Sequence, residues 1–89
     1  MKNKKQIKLN LKKLQTLIET ISKMVEEERY CPDIMQQILA GVGLLRSVHR
    51  QLLRTHLESC FLKAAESGDK RRQQEMIEEI VKVTNLYNK

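Results

Sequence analysis

The 89-residue sequence has no Trp, one Phe, two Tyr, one Pro, three Gly and two Cys. With so few rings, a core must be built from Leu, Ile, Val and Met, as in helical bundles. The scarcity of Pro and Gly excludes collagen-like and low-complexity chains, and 40% hydrophobic residues beside 31% charged ones exclude a disordered chain. No run of about 18 apolar residues is present, so no membrane span is expected. No apolar stretch follows the Lys-rich start, so no secretory leader is read, and two cysteines are too few for a disulfide framework. The expectation is a cytoplasmic protein with both thiols reduced. There is no carboxylate pair, no nucleophile and base set and no phosphate-cradling Gly loop, so the chain is not expected to be an enzyme. A domain this short buries only about 60% of its unfolded surface, which favours an oligomer.

What is present is positive charge, unevenly placed. There are 17 Lys and Arg against 11 Asp and Glu, a net charge of +6. Lys2, Lys4, Lys5, Lys8, Lys12 and Lys13 stand without an acid in the first 13 residues. Further on, Arg46, Arg50 and Arg54 recur every fourth residue, so a helix presents them as one stripe of planar donors suited to phosphate. A basic arm and a basic stripe on an otherwise balanced body suit a polyanion, and DNA is the expected partner. The interface residues are expected to be Lys4, Lys5, Lys8, Lys12, Lys13, Arg46, Arg50 and Arg54.

The apolar residues have helical period. Ile7, Leu11, Leu14, Ile18, Ile21 and Val25 alternate steps of four and three, predicting a first helix over about 7–28 behind a flexible basic arm, 1–6. Arg29-Tyr30-Cys31-Pro32-Asp33 breaks it, since the residue before proline leaves the helical region and proline suits the first turn of the next helix. Ile34, Ile38, Gly41, Leu45, Val48 and Leu52 predict a second helix over about 32–66. Met76, Ile77, Ile80, Val81, Val83 and Leu86 mark a third over about 70–86, after Ser67-Gly68-Asp69. The fold class is all-α, a single three-helix domain. Gly41 and Gly43, costly inside a helix, are expected where a neighbour approaches closely.

Cys31, His56 and Cys60 carry the most chemistry. His56 and Cys60 are four apart, hence on one helix face and able to share a metal ion. Cys31 lies about 43 Å from Cys60 along an unbroken helix, too far to join them within one subunit. Two such helices laid antiparallel about a twofold axis near Leu45 bring Cys31 of one copy opposite Cys60 of the other, giving two sites per dimer. Two thiolates and an imidazole are a soft set that favours three-coordinate Cu(I). The plainer reading, two cysteines packed as small hydrophobes and a surface histidine, also fits the spacing.

The stretch MVEEERYCPDIMQQILA, Met24 to Ala40, followed by LLRTHLESC, Leu52 to Cys60, resembles the CsoR/RcnR/FrmR family of small helical bacterial repressors over about residues 7 to 86. The resemblance implies a three-helix protomer, an antiparallel four-helix-bundle dimer, and a dimer of dimers, that is, a homotetramer. Its copper-sensing branch has Cys, His and Cys where this chain has Cys31, His56 and Cys60, the first donated across the dimer interface. It also has a Tyr and a third-helix Glu beside the metal ligands, matched by Tyr30 and by Glu79, with Glu78 as the neighbouring alternative. The implied function is a repressor that leaves operator DNA when Cu(I) binds. A thiol sensor of persulfides or aldehydes on the same fold, and a copper buffer or chaperone without a DNA target, are the alternatives. The chain departs from the family at Asn10 and Ser47, where Arg is common, and at Thr16-Leu17, where Gly-Gln is usual.

Overall fold

The computed structural model describes residues 1–87, with the Tyr87 side chain excepted. They form α1 (Lys4–Glu26), α2 (Cys31–His56), a π-helical turn (Leu57–Phe61), α3 (Leu62–Ser67) and α4 (Lys70–Tyr87). The chain divides into two compact units, Met1–Leu53 and the residues from Arg54 onward. The third helix, expected over about 70–86, is α4 and runs to Tyr87.

In the first unit α1 and the body of α2 form an antiparallel hairpin. Helix α1 begins three residues before its first apolar position, because Lys4, Lys5 and Gln6 are good helix formers that a hydrophobic pattern does not register. Asn3 turns the chain in at φ 66, and its carbonyl accepts the Ile7 N–H at 2.9 Å. Only Met1 to Asn3 precede the helix, so half of the basic arm expected over 1–6 is helical.

The far end of α1 closes at Glu26, ahead of the expected Glu28, through a Schellman cap. The Arg29 N–H reaches the Met24 carbonyl at 3.0 Å, and the Glu28 N–H reaches the Val25 carbonyl at 3.1 Å. The cap needs a left-handed residue, and Glu28 takes it at φ 52. A side chain there costs about 1 kcal/mol that glycine avoids. Glu28→Gly is therefore expected to raise stability by about 0.5–1 kcal/mol, net of the greater freedom of glycine in the unfolded chain. Thermal unfolding should show a higher midpoint for this variant and a lower one for Glu27→Gly, whose site has an ordinary φ of −79.

The heptad seam expected on each helix splits into two rows. On α1, Ile7, Leu14 and Ile21 are buried or half-buried, whereas Leu11, Ile18 and Val25 are exposed. On α2, Ile34, Gly41 and Val48 turn inward, whereas Ile38, Leu45 and Leu52 are exposed. Each row repeats every seven residues, so the hairpin satisfies one row itself and leaves the other uncovered. Gly41 sits in the inward row: a Cβ there would lie 3.3 Å from Leu14 Cδ1 and 3.5 Å from Leu17 Cδ2. The close approach that this glycine permits is made by α1 of the same protomer. Gly43 has nothing within 4 Å. Asn10, where the family commonly has Arg, is buried, with its Nδ2 3.5 Å from Gln51 Oε1.

In the second unit the helical chain reverses at Gly68, in the left-handed region at φ 74, and α4 returns antiparallel. Asp69 caps α4 by accepting the Arg72 N–H at 3.2 Å. Gln73 ties the arms together, its Nε2 donating to the carbonyls of Ala64 at 3.2 Å and Ala65 at 3.0 Å. Ala64 and Met76 are buried.

Candidate metal centre

The three candidate ligands, Cys31, His56 and Cys60, occupy helix ends and a helix irregularity. Cys31 is the first residue of α2, exposed, where the Tyr30 carbonyl accepts the N–H groups of Asp33 at 3.0 Å and Ile34 at 3.3 Å. It borders a mainly apolar cleft with Val25, Glu28, Arg29, Ile34 and Met35. His56 is the last residue of α2. Cys31 and His56 are thus 25 residues apart on one helix, about 37 Å at its standard rise. Among the described residues no three His, Cys, Asp or Glu side chains of one protomer gather to hold a metal ion.

The sequence reading of one unbroken helix over 32–66 is modified at Cys60. Residues Leu57–Phe61 form a π turn, in which the Leu62 N–H reaches back to the Leu57 carbonyl. The Ser59 hydroxyl supplies a local cause, since it donates to the Thr55 carbonyl at 2.6 Å and competes with the backbone for that acceptor. With one extra residue in the turn, residues four apart still lie one above the other, so His56 and Cys60 keep a common side. Cys60 is exposed, its Sγ 3.7 Å from Ser59 Oγ. The signal for this turn was the hydroxyl at Ser59, which apolar periodicity cannot read.

Glu79 and Glu78 diverge on α4. Glu79 Oε2 lies 3.8 Å from His56 Nε2, whereas Glu78 lines a separate surface cleft with Gln74, Ile77 and Val81. Tyr30 is 71% exposed. Arg72, which the sequence reading passed over, places Nη1 3.1 Å from Glu75 Oε2 and 3.6 Å from Glu79 Oε1. Its guanidinium is held above its ordinary range, chiefly by the hydrogen bond to Glu75, with the charges of Glu79 and Glu75 adding and partial desolvation opposing.

The basic residues remain at the surface. Lys4, Lys5, Lys8, Lys12 and Lys13 are exposed on α1, and Arg46, Arg50 and Arg54 on α2. Lys4, Lys8 and Lys12 form one row at four-residue spacing. Arg54 Nε lies 3.4 Å from Glu58 Oε1. No helix among the described residues is long and apolar enough to cross a membrane.

The family model described as metal-sensitive transcriptional repressor matches residues 3–85. The copper-sensing transcriptional repressor CsoR of Bacillus subtilis is 35% identical over 88 residues, 99% of this chain and 84% of that protein. The copper-sensing transcriptional repressor RicR of Mycobacterium tuberculosis is 38% identical over 58 residues, 65% of this chain and 60% of that protein. The crystal structure of the copper-sensing repressor CsoR with Cu(I) from Geobacillus thermodenitrificans superposes with a TM-score of 0.88 at 33% identity, covering 100% of this chain and 91% of that one. With nearly its whole length matched in sequence and in fold, this chain belongs to the CsoR family of metal-sensitive transcriptional repressors.

Proposed function

We propose that this protein is a copper(I)-responsive repressor that binds operator DNA as a homo-oligomer and releases it when Cu(I) is held by Cys31 of one protomer and by His56 and Cys60 of its partner. The observation that carries this reading is the orientation of His56. Its Nε2 faces Glu79, which leaves Nδ1 as the nitrogen available to a metal on the helix side that also bears Cys60. The donor set fits the ion: two thiolates and one imidazole are soft, and three such donors suffice for Cu(I), whereas Zn(II) seeks a fourth. When bound, Cu(I) supplies a bond that ties two protomers together at this point.

The remaining steps belong to the chain. A His56 held through Nδ1 carries its proton on Nε2, where Glu79 is placed to accept it, so metal loading is transmitted to α4 as a new hydrogen bond. The exposed rows Leu11, Ile18, Val25 and Ile38, Leu45, Leu52 supply a continuous apolar face on the hairpin. A second hairpin packed antiparallel on it completes a four-helix bundle and brings Cys31 towards the other copy's ligands. The lysines of α1 with Arg46 and Arg50 form the phosphate-binding face.

The test is an anaerobic titration with Cu(I), followed by measurement of affinity for a duplex selected by the apo protein from a random pool. One Cu(I) per protomer and a DNA affinity lowered by about 5- to 150-fold are expected, the range of ordinary allosteric coupling. Both thiols are exposed, which favours a second reading in which they are modified directly. Loss of DNA binding on persulfide treatment, with indifference to Cu(I), would establish that reading instead.

A further inference from the structure

We propose that Arg72 is a positioning residue for this response: it holds one oxygen of Glu79 and thereby presents the other to His56. The inference rests on the functional reading above for its consequence, but its geometry lies within the second unit alone. Arg72 Nη1 is 3.6 Å from Glu79 Oε1, and His56 Nε2 is 3.8 Å from Glu79 Oε2, so the two nitrogens face different oxygens and do not compete for one. Glu79 needs such an anchor. Its side chain is 51% exposed and long, and an exposed Glu samples many rotamers unless something holds it.

Arg72 is itself anchored. Its backbone N–H is capped by Asp69 at 3.2 Å, and its guanidinium donates to Glu75 Oε2 at 3.1 Å. Glu75 is held in turn by Arg71, Nε to Oε1, at 3.6 Å. A single nitrogen, Nη1, with its two N–H groups, faces both Glu75 and Glu79. The separation of 3.8 Å between His56 and Glu79 exceeds hydrogen-bond range. The pair is therefore set close enough for a small shift of the imidazole to complete the bond, provided the carboxylate stays where Arg72 holds it.

Two measurements test this, one free of metal and one with it. In apo protein at fixed pH, long-range nitrogen NMR of His56 reports the balance of its two ring tautomers. Arg72→Gln should move that balance away from the Nε2–H form. Arg71→Gln, which loosens Glu75 but leaves the contacts to Glu79 in place, should move it less. In the DNA assay, Arg72→Gln should reduce the Cu(I) response by about two- to fivefold, the scale of one partly exposed ion pair. Its apo DNA affinity and thermal midpoint should stay at wild-type values, Arg72→Lys should recover part of the response, and Arg72→Gln should add nothing in a Glu79→Gln background. If the His56 ring signals of Arg72→Gln match wild type, or if the Arg72 and Glu79 effects add in full, the inference is overturned while the copper reading stands. If wild type ignores Cu(I) but the tautomer balance moves as stated, the positioning holds and the functional reading fails.

Discussion

Cys31→Ser protein is expected to hold DNA as tightly with Cu(I) as without it. The substitution removes one of three soft donors and leaves His56 and Cys60, too few for the proposed site. The whole response, one to two orders of magnitude in DNA affinity, should vanish while apo binding persists, because Cys31 is exposed at a helix start and supports no packing that DNA binding needs. Cys60→Ser should behave alike. Mixing the two silent variants is the sharper experiment. A dimer with one chain of each kind retains one complete site, formed by the Cys31 of one chain with the His56 and Cys60 of the other, so random exchange should restore about a quarter of the wild-type stoichiometry. A mixture that binds no Cu(I) would rule out donation between protomers, whatever each variant does alone.

Lys8→Gln with Lys12→Gln should weaken DNA binding at 0.1 M salt by about a hundredfold, and flatten the logarithmic salt dependence by roughly 1.8, for each protomer whose two lysines meet phosphate. The loss should be equal for specific and random duplexes, since contacts of this kind position a protein without reading bases. Arg54→Gln makes a useful comparison. Its guanidinium already faces Glu58 at 3.4 Å, so its removal should cost less than the removal of Arg50. An unchanged salt slope in the lysine double variant would move the interface away from α1.

Much of this protein was legible in its sequence. The steps of four and three from Ile7 to Val25 and from Ile34 to Leu52 predicted two long helices. The break before Pro32 and the Ser67-Gly68-Asp69 turn placed their ends to within a few residues. These signals are legible because each reflects a local constraint: helical period, the proline ring, the left-handed freedom of glycine. The Schellman cap was missed because it is built on Glu28, a residue with no preference for φ 52, and is stabilised by bonds to Met24 and Val25 instead. The neighbour of Gly41 was not legible for a related reason. A gap in a side-chain row says that something comes near, and only coordinates say that it is Leu14 of the same chain.

Residue identities alone determined the all-α class and the excess of apolar surface, and they named the candidate donors and basic residues, since these follow from chemistry and spacing along the chain. Tertiary structure decided which nitrogen of His56 faces a carboxylate, that Glu79 rather than Glu78 faces it, and that Arg72 stands behind it. Those facts depend on how α4 folds back onto the chain after Gly68, a reversal that brings together residues more than twenty positions apart. No periodicity within either helix encodes the rotation of one helix against the other; side-chain packing sets it.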